Sequence, residues 1–204
     1  MQTHSEKTHH HRLFQYFERH FDLNPADRAR LPRLFPLKTA RRREFLLQAG
    51  EVCRYNHFVL SGALRMYYVN EQGRDFNLQF AFENWWMGDM GSFFNQKPAK
   101  LNIQAMEKTH YLRISLCDQI HLCEQDIRFS NLFRKLTERA LVRANARIMD
   151  HIASDAITRY QDFIDKYPAY LQRIPNKEIA SYIGVTPEFF SSLRKKVPKK
   201  DSNN

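Results

Sequence analysis

RIPNKEIASYIGVTPEFFSSLRKKVPKK, residues 173–200, is the stretch on which the reading of the chain turns. Ile179, Ala180 and Ile183 recur at helical spacing, and Gly184 follows them. Glycine tolerates the left-handed backbone that ends a helix at a tight turn. Thr186 suits the cap of a second helix, Pro187 its first position, and Phe190 with Leu193 carry the apolar face onward. Ala180 falls where two crossing helices approach most closely, and a larger side chain there would push them apart. The second helix ends in Arg194, Lys195 and Lys196. A short helix, a tight turn and a second, basic helix form a helix-turn-helix, a geometry that enters the DNA major groove. The plainer alternative is a basic helical hairpin that only packs.

Composition agrees with a polyanionic partner. The 204 residues carry a net charge of +10, which favours nucleic acid first and an anionic membrane surface second. With 43% apolar residues and 16 Phe, the chain can build a packed core, as one large domain or two small ones. The three cysteines, Cys53, Cys117 and Cys123, form no CxxC pair. That count argues against a disulfide scaffold, for a reduced compartment and for buried structural thiols. The N-terminus is polar and histidine-rich rather than apolar, and no window approaches ~18 continuous apolar residues. A cytoplasmic protein without a membrane span is expected.

Residues 1–11 read as loose. From Arg12 to Arg33 the pattern gives two short helices parted at Asn24-Pro25, with Leu13, Phe14, Phe17 and Phe21 in one stripe. From about Leu37 to Ser115 short alternating segments broken by glycines predict an antiparallel sandwich or roll, with NEQGRD at 70–75 as a hairpin turn. Phe58, Tyr67, Phe76, Phe80, Phe82, Trp85 and Trp86 are expected to fill it. A short helix follows at SLCDQIHLCEQ, and Asp126 to Ser154 reads as one long helix. Phe129, Phe133, Leu136, Ala140, Ala144 and Ile148 approximate its apolar stripe. About 25 helical residues span roughly 38 Å, longer than a small roll requires, so this helix is read as a connector and dimer seam. Asp155 to Tyr167 gives another helix before the helix-turn-helix.

A roll, a long helix and a helix-turn-helix in this order resemble the Crp/Fnr superfamily of bacterial transcription regulators. The resemblance covers about residues 35–200. It is carried by FVLSGALRMYYVNEQGRD, FENWWMGDMGSFFNQKPAKLNIQAMEKT, ITRYQDFIDKYP and the 173–196 segment, the last resembling the Bacteroidetes branch. It implies an α+β chain with three parts. Residues 1–125 would form a cyclic-nucleotide-binding-like β-roll (a jelly roll) with N-terminal helices. Residues 126–154 would be the dimerisation helix, and 155–204 a winged-helix-like DNA-binding domain with little room for a wing. It also implies a homodimer on double-stranded DNA, with RNA polymerase and a small-molecule effector as further partners.

Gly88, Asp89, Met90, Lys100 and Leu101 mark the candidate effector pocket. In relatives that bind cyclic AMP this stretch holds a Gly-Glu pair and an Arg followed by Ser or Thr. A cyclic phosphate needs a fixed cation and donors, and a carboxylate takes the ribose hydroxyl. Lys100 offers a point charge instead of a fork, and Leu101 offers no donor. Cyclic AMP is therefore not expected. The cysteines do not reproduce the N-terminal cluster of the iron–sulfur branch, so no such cofactor is expected either.

On this reading Thr186, Pro187, Glu188, Ser191, Ser192 and Lys195 face the groove. Glu188 matches a family position that accepts from a cytosine amino group, whereas Ser192 departs from an arginine that reads guanine. Lys177, Arg194, Lys195, Lys196, Lys199 and Lys200 are placed for phosphates. Phe189, Phe190 and Leu193 are expected to be partly core.

Catalysis is not expected. The roll segment has only His57 and His110, with no HxH pair, and no nucleophile elbow, phosphate loop or HExxH occurs. His9, His10 and His11 are read as an adventitious metal cluster on a flexible end. A sensing module without specific DNA binding is the remaining alternative.

Overall fold

The computed structural model describes residues 4–196, with side chains from His10 onward. Lys199 and Lys200 lie outside the described residues, as does the side chain of His9. The chain divides into two compact units. One runs up to Tyr68 and resumes over Leu78–Leu136; the other joins Val69–Asn77 to the residues from Thr137 onward. The partition therefore falls inside the long helix and takes in a hairpin tip, unlike the three consecutive segments the sequence suggests.

Two helices open the first unit, α1 (His4–Glu18) and α2 (Pro25–Leu34). The first starts within the stretch expected to be loose. Asn24 caps the second: its side chain accepts from the Asp27 amide at 2.8 Å, and the Asp27 carboxylate accepts from the Asn24 amide at 3.1 Å. Eight strands follow: β1 (Leu37–Ala40), β2 (Phe45–Leu47), β3 (Tyr55–Ser61), β4 (Leu64–Val69), β5 (Asp75–Ala81), β6 (Trp86–Met87), β7 (Asn102–Ala105) and β8 (Thr109–Ser115). A short helix, α3 (Met90–Asn95), interrupts them after β6. They form two four-stranded sheets, β1-β8-β3-β6 and β2-β7-β4-β5.

Period-two alternation along β3 and β8 assigns each residue to a face. His57 lies opposite Arg113 and Val59 opposite Tyr111. Val59 and Tyr111 join Leu47, Leu64, Ile103 and Ala105 in the cluster between the sheets. Phe58, Leu60, Leu112 and Ile114 pack outward against Leu13, Phe17, Leu31, Leu122 and Phe129 of the helices. This corrects the aromatic filling read from the sequence at Phe58 and Trp86. Both belong to the helix-covered face, Phe58 tilted against Tyr16 at 5.0 Å and Trp86 edge-on to it at 6.2 Å. Trp85 packs against the cluster between the sheets, and Tyr67, Phe80 and Phe82 are buried.

After β8 come α4 (Leu116–Gln125) and α5 (Ile127–Ala153). The start of α5 is fixed to α2 by ionic contacts. Arg128 donates to the buried Asp27 at 2.8 Å and to Asp126 at 2.6 Å, and Arg30 meets the same two carboxylates at 2.8 and 3.2 Å. Its hydrogen bond from Arg128 holds the Asp126 carboxyl below its ordinary range. Phe129, Phe133 and Leu136 pack on this unit's core, so the predicted stripe does not continue as one surface. No helix among the described residues is long and apolar enough to cross a membrane.

Candidate nucleic-acid interface

The second unit is built from the end of α5, then α6 (Ala156–Lys166), a 3₁₀ turn (Pro168–Arg173), α7 (Asn176–Ile183) and α8 (Pro187–Lys196). Asp155 caps α6 by accepting from the Thr158 amide at 2.8 Å. Its buried aromatic core follows from the sequence spacing. Phe163 meets Tyr167 at 4.9 Å and Tyr182 at 5.1 Å, and Phe190 stands edge-on to Tyr160 at 5.0 Å. A 3₁₀ turn occupies the space between α6 and α7, where a wing would precede the helix pair; no strand forms there.

Gly184 carries the turn. Its φ of +77° is the left-handed conformation, and the Val185 amide closes on Ala180 O at 3.0 Å. Thr186 then accepts from the Phe189 amide at 3.2 Å, and α8 begins at Pro187. Ala180 is fully buried at the helix pair. Arg159 ties the turn down by donating to Ile183 O at 2.9 Å.

A contact invisible in the sequence is the hairpin tip. Asn70 and Arg74 close it, with Gly73 at φ +74°. Buried Asn77 donates to Glu178 Oε2 at 2.8 Å and to Glu178 O at 3.1 Å. Ser181 accepts from the Asn77 amide at 2.9 Å and donates to Asp75 O at 2.6 Å. Arg74 donates to Val185 O at 3.0 Å. Five hydrogen bonds thus fasten Asp75, Asn77 and Arg74 to α7 and its turn. Arg147 completes the set, donating to Asn77 O at 2.6 Å and stacking on Tyr182 at 3.9 Å. A cavity of about 280 Å³ lies beside it, lined by Arg147, Arg159 and Lys166 among others. Those cations already serve Asn77 O, Ile183 O and Tyr182 Oη.

One side of α8 is buried and the other is free. Phe190 and Leu193 are 0% and 3% exposed, whereas Thr186, Pro187, Glu188, Ser191, Ser192, Arg194, Lys195 and Lys196 are all exposed. Lys177 is exposed on the first turn of α7, 3.5 Å from Glu178. Arg194 is held by Asn176 Oδ1 at 2.8 Å, and Ser191 donates back to Pro187 O at 3.0 Å. Phe189 departs from expectation. It is 54% exposed and shares the face of Glu188 and Ser192. Adjacent helical residues stand about 100° apart, and of the two phenylalanines the core takes Phe190 alone.

The candidate effector residues fall at the β6–α3 junction and in the loop before β7. Asp89, buried, caps α3 and accepts from the Ser92 amide at 3.1 Å. Met90 folds over Gly88, where an added Cβ would stand 2.6 Å from its Cε. Ser92 Oγ donates to Lys97 O at 2.5 Å and accepts from the Cys53 amide at 2.9 Å, and the Ala99 amide donates to Glu51 O at 2.7 Å. Ser92 Oγ and the Ala99 amide are therefore engaged within the chain, and a carboxylate sits at the helix start. Lys100 is exposed and Leu101 half-buried.

Two smaller expectations are corrected. Only Cys53 is buried; Cys123 is half-buried and Cys117 exposed. Burial raises the Cys53 thiol pKa. His10 is not on a flexible end: it lies in α1, buried, with Nε2 at 2.8 Å from Phe35 O. Among the described residues no group of three His, Cys, Asp or Glu is placed to hold a metal ion.

Residues 37–126 match the cyclic nucleotide-binding domain family. No curated protein matches the chain. Among solved structures, FixK2 from Bradyrhizobium japonicum is similar with a TM-score of 0.72 at 18% identity, over 79% of this chain and 83% of that one. A CooA mutant from Carboxydothermus hydrogenoformans gives 0.68 at 18% identity, over 81% and 77%. A protein from Eubacterium rectale, named as a candidate transcriptional regulator of the Crp/Fnr family, gives 0.70 at 16% identity, over 89% and 87%. The chain thus has the Crp/Fnr fold along most of its length.

Proposed function

We propose that this chain is a homodimeric, sequence-specific DNA-binding transcriptional regulator of the Crp/Fnr type, and that it acts without cyclic AMP. The observation that carries this reading is the two-sidedness of α8. Phe190 and Leu193 anchor one side, and Glu188, Ser191, Ser192 and the terminal Arg194, Lys195 and Lys196 are exposed on the other. In the major groove Glu188 would accept from a cytosine amino group, Phe189 would meet a thymine methyl, and the lysines would contact phosphates.

A gel shift and footprint with genomic fragments at stated salt tests this directly. Glu188→Ala is expected to change base preference at one or two positions. Lys196→Ala should weaken binding to all sequences alike and lower the slope of log affinity against log salt by about one. An unchanged preferred site in Glu188→Ala removes the docking register.

The second half of α5 supports self-association. Leu141, Val142, Ile148, Met149 and Ile152 are 61, 68, 58, 60 and 76% exposed. Two of these pairs, Leu141 with Ile148 and Val142 with Met149, repeat at heptad spacing, the mark of a helix that pairs with its copy. Ile148→Asp is expected to weaken self-association at least about 100-fold, an interface loss of ~3 kcal/mol. Sedimentation measures it, and a dimer unchanged in affinity places the seam elsewhere. The absence of cyclic AMP dependence rests on Asp89 and the engaged donors of Ser92 and Ala99; calorimetric titration with cyclic AMP checks it.

A further inference from the structure

At the edge of the roll lies a cavity of about 450 Å³ lined by residues of the β2–β3 segment and by Arg113. That volume suits a small organic ligand. Arg113 sits on β8 directly across from His57 on β3, so both side chains project from the same face of the sheet. Tyr55, two residues earlier on β3, lies under the guanidinium, whose carbon is 3.9 Å from the ring centroid. Stacking holds the fork in one plane while leaving its edge N–H groups free.

Arg113 makes no side-chain hydrogen bond or ion pair among the described residues, and its Nε is buried without a partner. A desolvated donor left unmet is costly, and natural interiors seldom leave one so. His57 is 3% exposed, and its Nδ1 donates to Met87 O at 3.0 Å. Burial keeps the ring neutral at ordinary pH. With the proton on Nδ1, Nε2 carries a lone pair and can only accept. The cavity therefore presents one stacked, desolvated cation and one neutral acceptor, with the exposed Arg54 also in its lining and Leu47 and Val52 as apolar wall.

The geometry points to this cavity as a binding site for a small organic acid that carries a hydroxyl or N–H donor beside its carboxylate. The carboxylate takes the Arg113 fork, and the neighbouring donor reaches His57 Nε2. A phosphate fits less well. It brings a second negative charge that only Arg54, exposed to water, could meet, and Glu51 also lines the cavity. The site shares no residue with the Gly88–Leu101 segment and does not depend on DNA binding.

Isothermal titration of the full chain decides it, using mandelate and pyrrole-2-carboxylate as probes, phenylacetate as the acid lacking the donor, and inorganic phosphate. Saturable one-site binding of at least one donor-bearing acid is expected, roughly tenfold or more tighter than phenylacetate. Arg113→Met should lose at least about tenfold for every acid, and Arg113→Lys should recover only part of that. His57→Phe should abolish the preference over phenylacetate. Circular dichroism checks each fold; if Arg113→Met does not fold, Arg113→Lys carries the comparison. No saturable binding of either probe at concentrations to about 10 mM, binding unchanged in the Arg113 variants, equal affinity for phenylacetate, or tighter binding of phosphate overturns the assignment.

Discussion

Phe190→Ala is expected to unfold the helix-turn-helix while the roll stays folded. Phe190 is fully buried and meets Tyr160 edge-on at 5.0 Å. It is the residue by which α8 is attached to α6, since the rest of α8 apart from Leu193 is exposed. Truncating a buried phenylalanine costs about 3–5 kcal/mol, part transfer and part cavity. Short helices are marginal alone and depend on such packing, so a loss of this size is a large share of what holds α6–α8 together. Hydrogen exchange reads the result. Amide protection should collapse over Ala156–Lys196 and persist in β3 and β8. DNA binding should disappear for specific and non-specific sequences alike, unlike the altered preference expected of Glu188→Ala. Protection retained in α8 would mean that Tyr160 and Leu193 close over the gap and that the second unit is sturdier than its size suggests.

This contrast between Phe190 and Phe189 also shows where sequence reading stops. Caps and turns are local, and they were legible: Asn24 before Pro25, Asn70 with Gly73, Gly184 followed by Thr186-Pro187. Each is decided by backbone preferences within four residues. The strands were legible as well, as short apolar segments set between glycines and turns. Which of two neighbouring phenylalanines enters a core depends on the crossing of α6, α7 and α8, and no spacing rule within α8 decides that. The same limit hid Asn77. Its side chain is satisfied by Glu178, 101 residues away in sequence, so only the folded chain reveals that the hairpin tip belongs with the C-terminal helices. In α5 the periodic stripe was visible, but periodicity cannot say what covers it. Phe129 and Phe133 are covered by the first unit's own core, whereas Ile148 and Ile152 are left exposed. Arg113 and His57 were missed for a related reason. A lone arginine and a lone histidine carry no motif, and their pairing comes from strand register.

His57 makes the roll acid-labile over a defined window. In the unfolded chain its imidazole takes up a proton near pH 6.5; in the fold burial brings that pKa down to about 4, with Arg113 across the strand pair adding to the effect and the Met87 carbonyl opposing it. Above pH 6.5 both states are neutral and the group contributes its full share. As the pH falls below that value the unfolded chain binds the proton first, so stability is lost progressively until the folded ring also titrates near pH 4. The shift amounts to about 3 kcal/mol of lost stability, at 1.36 kcal/mol for each pKa unit. Carboxylates that are ion-paired in the fold, Asp126 foremost, also lose their contribution on acidification, so the His57 share must be isolated by comparison. His57→Gln does this, because a glutamine amide can still donate to the Met87 carbonyl but has no proton to gain. Urea unfolding of both proteins at pH about 7.5 and about 4 is the measurement. Wild type should lose about 3 kcal/mol more than the variant between the two conditions. An equal loss in the two proteins would mean that the folded ring accepts its proton as readily as the unfolded one, and hence that water or a counter-charge reaches it in the cavity.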